Sequence, residues 1–376
     1  MELTFLRPLY ASAGSFASVY LATSGTGYGP DAHAVDIRWR DVREEMARAG
    51  ADAATLNALG EFITGQGRTA AGTAAFGRDG TVPLAVRLPG VPRREMGRWA
   101  RLPDVLPLLV QSPPRPPHLL VSATKAGGDV LAVRTADDVT KEAVEGTGWP
   151  VHRTRSGGSA QLEHQRSAEE AWEVNAKELA GAVVRAAAGG APEAIIVAGD
   201  VRARELLISK LPANLASKAV LVDRELAVDS NELAEAAEQV LGELETAECR
   251  RRLETYRDRL GAGSATEGLA ETVTALRDGA VTELFLGGDY LGDDPDAPGP
   301  AWSSATAWIG SALAEVGLGE QELRDWGVRE VHRDRLDAAL VRAATGTDAQ
   351  LFMMPAGEPP LQDGIGALLR FPIPNA

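Results

Sequence analysis

Cysteine is almost absent from this chain, because Cys249 is the only one among its 376 residues. A single cysteine excludes an intrachain disulfide and a cysteine-rich zinc site, and it favours a reducing compartment. Cys249 lies in a charged stretch that is predicted to be helical. We therefore expect it to be packed or exposed rather than catalytic.

Basic residues and long apolar runs are also scarce. The chain has 38 Lys and Arg against 53 Asp and Glu, a net charge of −15. That balance argues against binding nucleic acid over the whole surface, which relies on cations at phosphates, but it leaves room for a local basic tip. No run reaches the roughly 18 apolar residues of a membrane span, and residues 1–22 lack the pattern of a signal peptide. We expect a cytoplasmic protein that binds neither membrane nor DNA.

Several enzyme signatures are missing as well. Gly263 and Gly268 have P-loop spacing without the Lys-Ser/Thr that follows it, and no His-Glu pair at helical spacing indicates zinc. Asp200 and Asp223 each follow a predicted strand, which would suit a magnesium-dependent nuclease. The simpler interpretation makes Asp200 a helix cap and Asp223 the start of a turn. We predict no metal and no cofactor.

The pattern of elements predicts a mixed α/β protein with three domains. Hydrophobic residues make up 44% of the chain, enough for each domain to bury a core. The proline-rich stretch 111–117 favours an extended linker. We place a divergent N-terminal domain at 1–112, a middle domain at 118–262 and a C-terminal domain at 263–376.

The predicted elements alternate between strand and helix along the chain. In the first domain they are a strand over 16–22, helices over 35–49 and 52–62, and a hairpin (69–76 and 82–88) around Arg78-Asp79-Gly80. In the second they are a hairpin (118–123 and 130–134), a long helix from Ala160, strands over 193–198 and 219–222, a helix over 201–211 and a helix up to Leu260. In the third they are helices over 268–277, 303–316 and 333–344, strands over 281–286, 350–354 and 364–371, and a solvated acidic loop over 289–300.

Two helix starts in the middle domain carry capping signals. Asp200 precedes the helix over 201–211 and can accept from its first turn. Asp229 with Glu232 has the spacing of a capping box for the last helix of this domain. The apolar face of that helix is predicted to comprise Leu233, Ala237, Val240 and Leu244.

The most unusual stretch is polar and basic and lies between the hairpin and the long helix. Residues 149–161 contain Arg153, Arg155, Ser156, Gly157, Gly158, Ser159 and Gln161, with His152 and His164 nearby. The two glycines permit positive φ and close approach to another molecule, and the two arginines offer planar donors for phosphate. Either this is a solvated linker, or it is a basic loop at the end of a rigid helix. The histidines could flank the tip or simply lie on the surface.

Two segments of the C-terminal part resemble a known family. The sequence AETVTALRDGAVTELFLGG (270–288) and the ending DAQLFMMPAGEPPLQDGIGALLRF (348–371) resemble the C-terminal domain of archaeal and eukaryotic class-1 release factors and their relative Pelota. The order of elements in the middle domain also resembles that family. The N-terminal domain is similar only to the bacterial branch, through SVYLA (18–22). Within that branch, the chain most resembles mycobacterial-type relatives of the ribosome hibernation factor Balon.

This resemblance implies a fold and a location for the loop. It implies a middle domain of the RNase H-like release-factor type and a C-terminal α-β-α sandwich of the ribosomal-protein, kink-turn-binding type. The family places the middle-domain loop at the peptidyl transferase centre, where release factors carry Gly-Gly-Gln. Here the matching positions are Gly157, Gly158 and Ser159, and Gln161 comes two residues later. Two helical residues rotate a side chain by about 200°, so hydrolysis by the family glutamine is not expected.

The resemblance implies a ribosome-binding translation factor that occupies the A site, in hibernation, stress or rescue, without Gly-Gly-Gln hydrolysis. The rRNA-binding residues would be Arg153, Arg155, Ser156, Gly157, Gly158, Ser159 and Gln161. Elongation factor Tu or another translational GTPase is the implied partner, and the acidic 289–300 loop would suit a protein partner better than RNA. The alternative is a peptidyl-tRNA hydrolase, or release factor, acting on stalled ribosomes with a rearranged tip.

Overall fold

The computed structural model describes residues 1–11, 14–23, 32–65, 71–111, 116–135, 138–146, 158–287, 300–354 and 361–371. Within these residues, no helix combines the length and the apolar character that crossing a bilayer requires. The contacts divide the chain into two compact units. We call Met1–Pro113 together with Arg251–Ala376 the split unit, and Pro114–Arg250 the inserted unit.

The N-terminal segment of the split unit is a four-stranded antiparallel sheet with helices. Its strands are β1 (Phe16–Ala22), β2 (Gly72–Arg78), β3 (Thr81–Leu88) and β4 (Met96–Ala100). Its helices are α1 (Arg7–Tyr10), α2 (Ala32–Arg48), α3 (Ala53–Gly65) and α4 (Leu106–Gln111), after a short 3-10 turn, Thr4–Leu6. The strand order is β3-β2-β1-β4. The predicted strand, the two long helices and the hairpin are all present, whereas β4 had no prediction.

The hairpin turn has the backbone that its sequence requires. Asp79 and Gly80 have φ values of 49° and 72°, as in the two-residue turns whose positive φ favours Asp-Gly. Helix α3 also holds the turn, because the Gly80 N–H donates to the Thr55 hydroxyl at 3.1 Å. The Asp-Gly pair therefore identified this hairpin correctly.

The inserted unit is a mixed five-stranded sheet with helices. Its strands are β5 (His118–Thr124), β6 (Gly127–Val133), β7 (Val139–Glu145), β8 (Ala194–Gly199) and β9 (Ala219–Leu221). Its helices are α5 (Gly158–Ala188), α6 (Val201–Lys210), α7 (Ala213–Ala216) and α8 (Asn231–Gly261), the last of which continues past the unit boundary. The strand order is β7-β6-β5-β8-β9, with β5, β8 and β9 parallel and the β6 and β7 pairings antiparallel.

One of the two predicted caps is correct. The Asp200 carboxylate accepts from the Ala203 N–H at 3.1 Å and caps α6. The predicted box of Asp229 and Glu232 is wrong, because the Ser230 hydroxyl accepts from the Leu233 N–H instead, at 3.2 Å. Asp229 forms an ion pair with Lys141 at 3.1 Å. A hydroxyl one residue closer to the helix is better placed to reach its first N–H groups.

The buried face of α8 also differs in part from the prediction. Leu233 and Ala237 are buried as expected. Farther along, Leu241 is buried, whereas Leu244 is 38% exposed. The buried stripe therefore moves to the adjacent helical position beyond the second turn.

The C-terminal segment of the split unit has two sheets. Its strands are β10 (Ala265–Glu267), β11 (Val281–Leu286), β12 (Thr306–Ile309), β13 (Val316–Gly317), β14 (His332–Arg335), β15 (Gln350–Met353) and β16 (Ile365–Leu369). Its helices are α9 (Leu269–Arg277), α10 (Ala301–Ser304), α11 (Glu320–Asp325) and α12 (Leu336–Gly346), with a 3-10 turn at Gln362–Gly364. The sheet orders are β10-β16-β11-β15 and β13-β12-β14. The predicted acidic loop over 289–300 lies outside the described residues, apart from Pro300.

The predicted helix over 303–316 is wrong. Only α10 is helical there, and β12 and β13 follow it. Arg342 holds the connection between β12 and β13, since its buried guanidinium donates to the carbonyls of Gly310 at 2.8 Å and Ser311 at 3.0 Å and reaches that of Leu313 at 3.3 Å. Carbonyls satisfied by a side chain do not need a helical ladder. The helix predicted over 333–344 starts later, at Leu336, because β14 pairs with β12 first.

One hydrophobic core joins the two segments of the split unit. It contains apolar side chains from both, including Leu6, Leu9, Tyr20, Phe76 and Leu106 from the first, and Leu276, Leu284, Trp302, Leu340 and Leu351 from the second. Polar contacts reinforce the join, since Arg335 donates to Asp104 at 2.5 Å and Leu102 N–H donates to Asp334 at 3.2 Å. The predicted mixed α/β class is confirmed. The predicted domain boundaries stay predictions, because the two units group residues by their contacts and do not test where each domain begins.

Candidate functional site

The predicted rRNA-binding residues lie at the start of α5 and immediately before it. Arg153, Arg155, Ser156 and Gly157 fall in 147–157, outside the described residues, and so does His152. The last three, Gly158, Ser159 and Gln161, are in the first turn of α5, which begins at Gly158. The backbone of His164 belongs to the same helix. Their assigned role in binding RNA remains a prediction.

Helix α5 has 31 residues, and among its described side chains the buried ones belong to its second half. Among the side chains described from Ser167 onward, the first buried one is Asn175. Leu179, Ala180 and Val183 then pack into the core of the inserted unit. At a rise of 1.5 Å per residue, Gly158 lies about 25 Å from Asn175 along the helix axis. The start of α5 at Gly158 is therefore distant from the half of the helix that packs into the core.

The start of α5 bears on the question of the missing glutamine. Ser159 and Gln161 both lie within the helix. With 3.6 residues per turn, positions 159 and 161 are about 200° apart around the helix axis. Position 161 is therefore not equivalent to position 159 while this first turn stays helical.

A cluster of contacts holds the base of the loop, where β7 ends. The Gly146 N–H donates to the Ala126 carbonyl at 2.8 Å, and the Asn175 side chain donates to the Lys125 carbonyl at 2.8 Å. A Cβ on Gly146 would lie 2.3 Å from the Asn175 Cγ. Position 146 must therefore be glycine for the strand end and helix α5 to approach so closely.

Lys125 joins this base to the start of α6. Its ammonium lies 4.9 Å from the Trp172 ring centroid and 3.2 Å from the Asp200 carboxylate. Partial burial opposes ionisation of Asp200, but the hydrogen bonds from the Ala203 N–H and from Lys125 outweigh it and lower the pKa of this carboxyl. The turn between β5 and β6 thereby contacts both α5 and α6. We call Lys125, Gly146, Trp172 and Asn175 the helix clamp.

The two-carboxylate alternative has little support in this geometry. Asp200 caps α6 and pairs with Lys125, while Asp223 pairs with the buried Arg204 at 2.7 Å. Each carboxylate thus already has a cation. Within the part of the chain that the structure describes, no group of three His, Cys, Asp or Glu side chains is arranged to hold a metal.

The helix clamp was not identified from the sequence. Lys125 and Gly146 are separated from Asn175 by 50 and 29 positions, and no local pattern links them. A weak signal was present, since a polar Asn175 falls on the same helical stripe as Trp172, Leu179 and Val183. A polar residue on an apolar stripe indicates a buried hydrogen bond.

Comparisons with known proteins place this geometry in a family. The model of bacterial archaeo-eukaryotic release factor family 2 matches residues 117–262, which contain the loop, α5 and the helix clamp. Two uncharacterized proteins of Mycobacterium tuberculosis, from strains CDC 1551 / Oshkosh and H37Rv, are each 30% identical to this chain over 382 residues. The alignments cover 98% of this chain and 97% of those proteins.

Solved structures of low sequence identity also match. Archaeoglobus fulgidus Pelota has 16% identity and a TM-score of 0.36, covering 80% of this chain and 79% of its own. The archaeal translation termination factor has 15% identity and a TM-score of 0.25, covering 97% and 96%. The family model and the full-length mycobacterial relatives agree with the motifs of the sequence: the chain belongs to the bacterial archaeo-eukaryotic release factor family.

Proposed function

We propose that this protein is a ribosome-associated translation factor that occupies the A site without hydrolysing peptidyl-tRNA, in hibernation, stress or rescue. The observation that carries the proposal is the sequence Gly157-Gly158-Ser159, with α5 beginning at Gly158, within the segment that matches the release-factor family. Release factors place Gly-Gly-Gln at this point. Filling a site sterically requires no chemistry, so the loss of the glutamine fits a plug better than an enzyme.

The loop has the chemistry for contacts with ribosomal RNA. Arg153 and Arg155 supply planar guanidinium donors, which bind phosphate in bidentate fashion. Gly157 and Gly158 allow the backbone to approach an RNA surface closely. A helix of 31 residues, packed from Asn175 onward, would project this loop into a deep pocket and hold it there.

A translational GTPase, with elongation factor Tu as the first candidate, is the proposed delivery partner. This part of the proposal rests on family membership and on the C-terminal segment. It is tested by asking whether the GTPase, in its GTP form, raises the rate at which the protein associates with 70S ribosomes. No acceleration would remove the GTPase and leave the A-site proposal intact.

The decisive experiment is sedimentation of the purified protein with 70S ribosomes, either vacant or loaded with peptidyl-tRNA, with peptide release scored in the same tubes. We expect binding without release. The variant R153E/R155E should lose binding, while R250E/R257E, which changes the same charge on the exposed face of α8, should retain it. Undiminished binding of R153E/R155E would contradict the role given to the loop.

The same assay separates the plug from the hydrolase. Peptide release by the wild type that disappears in Q161A would make the protein an enzyme with a rearranged tip. Release that survives Q161A would indicate water positioned by other groups. Absence of release, with binding retained, supports the plug.

A further inference from the structure

Positive charge is unevenly distributed along this acidic chain. Residues 1–113 hold 12 arginines, no lysine and 11 acidic residues, whereas residues 114–376 hold 26 basic and 42 acidic ones. The segment 87–101 alone contains five arginines against one glutamate. All five are exposed. The N-terminal segment is therefore a local cationic exception, and it lies outside the residues that the family model matches.

Four arginines of this segment lie at one end of the first sheet. The register pairs Ala22 with Gly72 and Gly72 with Leu88, so β1, β2 and β3 share this end, and β4 begins beside it. The cluster consists of Arg38, Arg87, Arg93 and Arg94, on α2, at the end of β3 and in the connection to β4. Four strands about 4.8 Å apart span about 14 Å, so the cluster presents several cations over a short distance.

The connection that carries Arg93 and Arg94 is held firmly in place. The Gln111 side chain donates to the Val91 carbonyl at 2.6 Å and accepts from the Arg93 N–H at 3.2 Å. Pro92 is buried, and a Cβ on Gly72 would lie 2.7 Å from its Cδ. The connection thus rests directly on strand β2. A preorganised loop loses less entropy on binding.

The one acidic residue within 87–101 already has a cationic partner. Glu95 pairs with Arg38 at 3.4 Å and accepts from the Ala22 N–H at 3.0 Å. Arg87 and Arg94 extend into solvent beside this pair. The exposed charge contributed by residues 87–101 is therefore positive, in contrast to the net charge of the whole chain.

We propose that the cluster of Arg38, Arg87, Arg93 and Arg94 is a second RNA-binding surface, in which Arg38 neutralises Glu95 and the exposed Arg87, Arg93 and Arg94 contact the phosphate backbone. The inference deepens the proposed function, since a ribosomal factor needs contacts beyond its loop. A cluster made only of arginine favours phosphate, because its planar fork binds two oxygens at once. An acidic protein surface would be bound as well by lysine, which the N-terminal segment lacks.

The test measures binding of fluorescently labelled full-length protein to 70S ribosomes and to a 20-base-pair RNA duplex, each over a range of KCl concentrations. The test variant is R87Q/R94Q. The matched control is R250Q/R257Q, which removes two exposed arginines from helix α8. Two lost phosphate contacts should lower the slope of log K against log salt by about 1.4–1.8, with affinity falling roughly tenfold. The control should match the wild type.

The outcomes separate this inference from the proposed function. A reduced slope on both RNAs supports it, and a reduced slope on the duplex with no ribosome binding supports it while rejecting the A-site role. Wild-type slopes in R87Q/R94Q, or equal losses in the control, would overturn it. Loss of ribosome binding with an unchanged duplex slope would point to an acidic protein partner and also overturn it. Absence of wild-type binding to either RNA would do the same.

Discussion

Arg335 lies between two buried carboxylates, one from each segment of the split unit. Its guanidinium donates to Asp104 at 2.5 Å and to Asp337 through Nε at 2.9 Å, with a second Nη contact to Asp337. Asp104 and Asp337 have almost no exposed side-chain surface. Burial raises the pKa of Asp104, and Arg335 and Arg98 counter part of that rise. One residue thereby stabilises two anions that have little access to water.

The substitution R335M should lower the free energy of unfolding by about 3–5 kcal/mol, because it leaves two buried carboxylates without their shared cation. Arg98 offers a matched control, since it binds the same Asp104 at 3.1 Å but is 46% exposed. R98M should cost less than about 1 kcal/mol, as for exposed ion pairs. Urea unfolding of both variants at pH 7 measures the difference. Equal losses would show that Arg335 is no more important than a surface ion pair.

At the scale of single residues, the sequence predicted only contacts between residues that are close together in the chain. The Asp200 cap was correct because donor and acceptor are three residues apart. The Asp229 cap failed because Ser230, one position along, competes for the same N–H group. Arg335 and Asp104 are 231 positions apart, and no sequence spacing could have paired them.

Among the elements, α5 depends on a single buried polar side chain. Asn175 is 2% exposed and binds the Lys125 carbonyl at the turn between β5 and β6. It is the first buried side chain among those of α5 that the structure describes. Its hydrogen bond links the direction of the helix to the sheet.

The substitution N175A should lower the free energy of unfolding by about 1–3 kcal/mol, because it removes the hydrogen bond of a buried side chain and leaves the Lys125 carbonyl without its donor. Amide hydrogen exchange should rise more in 158–174 than in 176–188, since the second half keeps its apolar contacts. N214A, at an exposed position in α7, should change the stability by less than about 0.5 kcal/mol. Uniform exchange along α5 in N175A would mean that the clamp does not orient the projecting half.

Helices and strands with a clear local sequence pattern were predicted, and those with a weak pattern were missed. The strand over 16–22, the Asp-Gly hairpin and the long helices are found at their predicted places, because each is set by its own residues. Strand β7 was missed, since most of its residues are exposed at the sheet edge and show little alternation. The loop of the candidate site was identified by its composition, whereas its support required the fold.

The fold contains one shared hydrophobic core that the sequence did not indicate. The split unit shares a core between residues 1–113 and 251–376. The sequence showed apolar faces in both segments but not that they pack on each other, because such pairing depends on shape across the full length of the chain. The chain for which the sequence predicted three domains thus divides into two contact units.

A cut in the chain tests this core directly. A protease site placed between Ser112 and Pro113 in the full-length protein allows cleavage without removing any contact of the shared core. The N-terminal fragment should coelute with the remainder in gel filtration, held by the shared core. After cleavage of the R335M protein, part of the N-terminal fragment should elute separately from the remainder. Separation of the cleaved wild type would mean that the two segments are independent domains.

The shared core also sets an order on biosynthesis. The first 113 residues leave the translating ribosome before any of their 263 successors, and their packing partners come last. At about 5–20 residues per second, the wait is on the order of 10–50 s. During that time Leu6, Leu9 and Leu106 lack the contacts that residues 251–376 supply to the shared core. The nascent N-terminal segment therefore exposes part of its apolar surface until the last segment has been translated.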